Sequence, residues 1–237
     1  MILSAYDPKV DSLSRLMIDA NIAISYFDAN HSLHGEVKKR IQKLFINGST
    51  FYYSQPVFLE LKNYWRRKLI TECIEQHLTQ GKRLYSKFEK QYLEFKSKNT
   101  NPPLKEHQLK NLRETLENIS KGKGVEFWFL LCDQALNGQF KQLDETLAQS
   151  NFIYAKFNDD DVYPSSLKSQ WPQWITADAI MEKYGLASSD AAILNMVNSG
   201  QKIEGFISND GDILFAAAKD ALPSIPTITF LDPEVFQ

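Results

Sequence analysis

The chain is poor in cysteine and histidine, and it has no long apolar run. Only Cys73 and Cys132 occur in 237 residues. They lie far apart and lack metal-ligand spacing, which excludes a disulfide framework and a cysteine-rich zinc site. Two reduced thiols in a cytoplasmic protein are the expectation. His31 and His34 are close in sequence but have no third ligand nearby, so they read as surface residues. No stretch is long and apolar enough to predict a membrane span, and Met1 to Val10 includes Asp7 and Lys9, unlike a signal peptide. Gly122-Lys123-Gly124 lacks the spacing of a phosphate-binding loop. There is no internal repeat, no low-complexity segment and no assignable Ser/His/Asp set. A net charge of −2 gives the whole chain no electrostatic pull toward nucleic acid.

The hydrophobic fraction is 43% and the aromatic fraction 12%, enough for a substantial core. The length suits one domain with a large insertion or two small ones. Charge is unevenly placed: residues 62–123 hold 15 Lys/Arg against 7 Asp/Glu, a net of +8 that leaves −10 for the remainder.

Leu16-Met17-Ile18 reads as a buried strand ending at Asp19, with a helix following to near Asp28. Residues 1–15 read as a polar lead-in. A helix is predicted over His31–Ile46, broken by Asn47-Gly48-Ser49, then a strand over Thr50–Ser54. Pro56 suits the first turn of a helix carrying Val57, Glu60, Leu61 and Trp65. Residues 66–163 read as mostly helical, with breaks at residues 99–103 and 121–124, a buried helix over Phe127–Leu136, another over Phe140–Leu147, and a loop including Asp159-Asp160-Asp161. Trp174–Tyr184 is predicted as a helix ended by Gly185, and Ser188 or Ser189 as the cap of the next helix. Ile203–Ile207 and Pro226–Phe230 read as strands. Strands alternating with helices predict an α/β fold with a largely parallel sheet.

Four acids fall at comparable element ends. Asp19 and Asp210 end strands, and Glu60 and Asp190 lie early in helices. In a parallel sheet, strand ends and helix starts share one edge, where ligands bind. Two like charges about 4 Å apart repel by roughly 4 kcal/mol at an effective dielectric near 20. Four clustered carboxylates therefore need cations to stay ionised. An all-oxygen set without His or Cys points to Mg²⁺ or Mn²⁺. Such a centre activates water and neutralises phosphate charge, so phosphodiester hydrolysis is the reaction class to expect.

Leu-Met-Ile-Asp-Ala-Asn at 16–21 resembles the first motif of PIN-domain ribonucleases. Residues 54–61 resemble the second, 184–193 the third, 206–213 the fourth, and 229–236 the last strand and its tail. The likeness covers about 16–66 and 171–237. It implies a PIN-like parallel central sheet flanked by helices and a metal-dependent endoribonuclease. Asp19, Glu60, Asp190 and Asp210 would hold Mg²⁺ or Mn²⁺, Asp212 would be a fifth ligand, and Asn21 and Ser208 would support the acids or the scissile phosphate. RNA is the implied substrate. An antitoxin protein is a partner by analogy with bacterial toxins of the family, and a second copy of the chain is a further candidate partner. No membrane association is expected.

The departure is the long stretch between Glu60 and Asp190. The expected division is a core over 1–66 and 166–237 with a mostly α-helical insertion over 67–165, basic in its first half. Arg66 and Arg67, soon after Glu60, are candidate substrate contacts. Lys82, Arg83, Lys87 and Lys90, interleaved with Tyr85, Phe88 and Tyr92, suit phosphate contact and base stacking or simply a solvated face. A rival reading keeps the scaffold and lets the insertion bind a protein or RNA partner without cleavage. A phosphatase using Asp19 as nucleophile fits less well, because Asn21 stands where a second Asp is favoured.

Overall fold

Six short apolar segments pair side by side, all in parallel, in the computed structural model, which describes residues 1–80, 85–98, 103–118, 122–155, 174–200 and 202–236. They are β1 (Ile2–Ser4), β2 (Arg15–Ile18), β3 (Thr50–Tyr53), β4 (Phe152–Tyr154), β5 (Gly205–Ile207) and β6 (Thr227–Thr229). The spatial order is β1-β6-β5-β2-β3-β4. Leu16, Met17, Phe51, Phe206 and Ile228 are wholly buried, as strands covered on both faces require. The α/β class with a parallel sheet thus follows the alternation read from the sequence.

Helices connect the strands. They are α1 (Ala20–Phe27), α2 (His34–Ile46), α3 (Gln55–Thr79), α4 (Ser86–Lys98), α5 (Glu106–Glu117), α6 (Lys123–Leu136), α7 (Gln139–Gln149), α8 (Trp174–Tyr184), α9 (Ser188–Ser199) and α10 (Gly211–Ala218). Residues 1–61 with 150–237 form one compact unit, which contains the sheet, and residues 62–149 form a second. The unit boundaries therefore leave β4 with the sheet. Among the described residues no helix is long and apolar enough to cross a membrane.

The path of the chain creates one special place on the sheet. From β2 it runs outward to β3 and then β4; it then returns to β5 on the other side of β2 and continues outward to β6. The order reverses between β2 and β5. The crevice beyond their carboxyl ends is a topological switch point, the place where ligands sit in open α/β sheets. Ile18 pairs with Ile207, and Ile207 with Ile228, so the chain leaves three neighbouring strands at almost the same level.

Several expectations need correction. Residues 1–15 are not a plain lead-in: Ile2 and Leu3 are buried in β1, which pairs with β6, and Pro8–Ser12 form a turn of 3-10 helix. β4 was also hidden; its Phe152 ring packs against Tyr26, Phe27, Phe45 and Phe51. The second helix starts at His34, not His31. Phe127–Leu136 is helical but not buried throughout, since Phe129 and Leu130 are exposed. Gly124 is no break: it lies inside α6, while Gly122, with φ of 72°, forms its N-cap. Lys82, Arg83, the residues 99–102, Lys121 and the loop with Asp159–Asp161 lie outside the described residues.

The helical unit has its own core. Ile70 and Ile74 of α3, Phe88 and Tyr92 of α4, Leu112 and Leu116 of α5 and Leu131 of α6 form one buried cluster. The stripes at three- and four-residue spacing are what bring them together.

Candidate active site

Asp19 follows the last residue of β2 and caps α1. Its backbone N–H donates to the Ile207 carbonyl at 2.9 Å, which locks it onto β5. Oδ1 accepts from the Ala20 backbone N–H at 2.6 Å. Oδ2 accepts from Ser208 Oγ at 2.6 Å and from Asn21 Nδ2 at 2.7 Å. The carboxylate is 3% exposed, so these donors fix its plane and shield it from water.

Ser208 lies one residue past β5, held by its own N–H on the Ile228 carbonyl. Its hydroxyl gives its proton to Asp19 and accepts from the Asp210 backbone N–H at 3.0 Å. Asp210 in turn caps α10: its Oδ1 accepts from the N–H groups of Asp212 and Ile213 at 2.9 and 3.2 Å. The Asn-Asp-Gly sequence therefore serves as a helix start as well as a turn. Asp212 is exposed on the first turn of α10. Glu60 is half-buried on α3 and bonded by the Ser189 side chain. Asp190 is half-buried in the first turn of α9.

The five acids act on one another. Asp19 is pushed up to about 7, chiefly by burial, with the charges of Glu60 and Asp210 adding to it against the hydrogen bonds from Ser208 and Ala20. Burial also raises Glu60, helped by Asp190 and Asp210 and opposed by the Ser189 bond. Burial and the charges of Asp210 and Asp212 raise Asp190. The charges that weigh on these three are all carboxylates. Ionising Asp19 costs on the order of 4 kcal/mol more than ionising an ordinary aspartate. A folded-state value above the unfolded one means the folded chain binds the extra proton between pH 3.8 and about 7. Stability of the metal-free protein therefore falls as pH rises through that window and levels off above it. Melting scans should show a loss of about 8–16 °C across it, flattened in Asp19→Asn; a melting temperature that rises with pH there would contradict the acid cluster.

Asp19, Glu60, Asp190 and Asp210 offer only oxygen donors. Four mutually repelling carboxylates, all oxygen, match a hard ion. Carrying the β2–β3 register forward sets Ser54 opposite Asp19 at the same sheet edge. Its hydroxyl is buried with no hydrogen-bond partner among the described residues, a group left for a ligand or water to satisfy. As the side chains stand, no three His, Cys, Asp or Glu among the described residues are grouped so as to hold an ion. The donor type, all oxygen, is the one a hard cation takes.

Asp19, Asn21, Ser208 and Asp210 are thus bonded into one network, and charge links Glu60, Asp190 and Asp212 to it. Arg66 and Arg67 belong to the helical unit. Arg66 bonds Asn63 and Glu106; Arg67 bonds the Leu104 carbonyl at 3.3 Å and lies over the Tyr64 ring. Burial lowers the proton affinity of Arg67.

Three supporting residues escaped sequence reasoning. Ser189 does not cap α9, whose N-cap is Ala187 without a side-chain bond; it bonds Glu60 and donates to Asp190 Oδ1 at 3.4 Å instead. Asn209 donates its N–H to Asn21 Oδ1 and accepts from Thr229 Oγ1 and the Phe230 N–H, tying the loop after β5 to α1 and to the end of β6. Ser54 is the third. Small polar residues beside each acid were the signal available.

No protein-family model matches the chain, and comparison with curated proteins and with solved structures likewise finds no match.

Proposed function

We propose that the chain is a PIN-like, metal-dependent endoribonuclease that hydrolyses RNA phosphodiester bonds, leaving 5′-phosphate and 3′-hydroxyl ends. The observation that carries the reading is the convergence of acids from four separate segments on one switch point, where the charges acting on Asp19, Glu60 and Asp190 are all negative. Asp19, Glu60, Asp190 and Asp210, with Asp212 beside them, would hold Mg²⁺ or Mn²⁺, which when bound supplies positive charge against the phosphate and makes its water more acidic. Asn21, Ser208 and the Ala20 N–H orient Asp19 as outer-shell donors do for metal ligands. Ser208 also joins the Asp19 side chain to the Asp210 backbone through its hydroxyl. Ser189 holds Glu60 toward the same place. Pairing with an antitoxin is analogy alone.

The rival reading is an interaction module in which the helical unit carries the partner surface. Exposed Phe129 and Leu130 on α6 favour it. A phosphatase is disfavoured because Asn21 spends its amide on Asp19 Oδ2 and has no proton to shuttle. Calorimetry with Mn²⁺ separates the readings. Uptake accompanied by proton release near pH 7 is expected, since Asp19 must lose its proton to become a ligand. Absence of uptake at millimolar Mn²⁺ leaves the scaffold reading standing.

A further inference from the structure

Three helices of the 62–149 unit each turn one stripe toward a common cavity of about 680 Å³. α3 presents Arg66, α5 presents Lys110 and Arg113, and α6 presents Trp128 and Cys132. We propose that this cavity binds a phosphate-bearing aromatic ring, that is, a nucleotide, either free or within an RNA chain. None of its lining residues is one of the acids at the sheet edge, and the proposal does not depend on the activity proposed for them.

The charge balance selects an anion. Arg66, Lys110 and Arg113 line the cavity with one acid, Glu106, which pairs with Arg66. Lys110 and Arg113 are occupied only along their own helix, by Glu114 at 3.8 Å and Glu117 at 3.0 Å. Exposed pairs of this kind contribute little and exchange readily for a phosphate. Arg66 differs. Asn63 Oδ1 accepts from its Nε and Nη2 at 3.2 and 3.0 Å, and Glu106 accepts from Nη2. The guanidinium plane is thereby fixed, while Nη1 has no partner among the described residues. Arg66 lines the same cavity as Cys132.

The floor selects what else the anion carries. Ile70 and Leu109 are already buried in the core, so the accessible apolar part of the floor is Leu136 and the edge of Trp128. Inorganic phosphate would leave that part uncovered, and a fatty acid would answer only one of three cations. A nucleotide covers the floor with its base, offers a face to the fixed guanidinium and sets its phosphate among Lys110 and Arg113. The volume lies within the range of small-molecule sites. The basic stretch over 62–123 gives the same unit a field that attracts such ligands.

Cys132 is half-buried on this floor, whereas Cys73 is buried in the core, so Cys132 reports occupancy. The full chain is alkylated with N-ethylmaleimide at mildly alkaline pH in EDTA, and the Cys132 peptide is followed by mass spectrometry. Probes are AMP, a short 5′-phosphorylated oligoadenylate, adenosine and inorganic phosphate. At saturation the AMP or oligoadenylate should slow labelling about tenfold or more, with adenosine and phosphate far less effective. Protection by the oligoadenylate at much lower concentration than AMP assigns the source as RNA; equal potency per nucleotide assigns the free nucleotide. Lys110→Ala combined with Arg113→Ala should abolish protection while leaving the circular dichroism spectrum and melting curve unchanged, because both side chains are largely exposed. Unchanged labelling with every probe, protection equal with adenosine or phosphate, or protection that survives the double variant overturns the proposal. Metal is absent throughout, so the result is independent of RNA cleavage.

Discussion

Replacing Asp19 by asparagine is expected to reduce RNA cleavage on the order of a thousandfold or more, since loss of a charged ligand forfeits several kcal/mol of metal-borne stabilisation. The fold should survive. Asparagine keeps an oxygen for the Ala20 N–H, and the Ser208 hydroxyl can rotate to meet an amide. One conflict arises, where an amide placed at Oδ2 would meet the Asn21 amide. That cost is offset by removal of a carboxylate whose ionisation is opposed by burial and by two other acids. At neutral pH the variant should melt no lower than metal-free wild type, and it should take up less Mn²⁺. Purified Asp19→Asn protein that cuts RNA at the wild-type rate would end the proposed mechanism. Loss of cleavage together with a collapsed melting curve would assign Asp19 a folding role instead.

Gly124→Ala should be the most damaging small substitution in the helical unit. An added Cβ would stand 2.1 Å from the Leu116 carbonyl oxygen and 2.8 Å from its carbon. Both are backbone atoms, so no side chain can move aside, and α5 and α6 must separate. Overpacking typically costs about 1–3 kcal/mol when side chains can adjust; a backbone collision places this change at about 3 kcal/mol or more. Gly122→Ala is the control. Its Cβ would meet nothing within 4 Å, and its φ of 72° leaves only left-handed strain, about 1 kcal/mol. Urea unfolding and amide exchange within α5 and α6 would separate the two. Equal loss in both variants would show that the close approach carries no weight.

Some of this was legible in the chain and some was not, for reasons that differ by element. Asp19 could be placed because an apolar run must end where a lone carboxylate begins. Asp210 could be placed on the same ground. The bonds that hold them could not, because Ser208 reaches Asp19 across 189 residues. Asn209 reaches Thr229 across 20. Sequence offers no distance between such groups. β5 and β6 are as short as β1 and β4 but sit beside the Ser208-Asn209-Asp210 stop and Pro226, whereas β4 lies in a stretch read as helical and is recognisable only by the rings that surround Phe152. The apolar run in α6 concealed two exposed residues because hydrophobicity alone does not tell which side of a helix faces inward. Arg66 and Arg67 were read from their nearness to Glu60, and nearness along a helix says nothing of what each side chain touches.

The pairing of β1 with β6 also sets a timetable. Ile2 lies beside Thr227, and Asp19 beside Ser208. During synthesis at roughly 5–20 residues per second, the 189 residues between Asp19 and Ser208 take on the order of 10–40 s to make. Throughout that interval the first acid has neither its hydroxyl donor nor β5, the strand whose Ile207 carbonyl accepts its N–H. Contacts so remote in sequence also form slowly once available. The helical unit, whose core contacts lie within residues 69–136, has no such wait. A ribosome-bound chain would thus present a folded helical segment before it could assemble the acid cluster, and whatever that cluster does would begin only after β5 and the Asn-Asp-Gly turn have emerged.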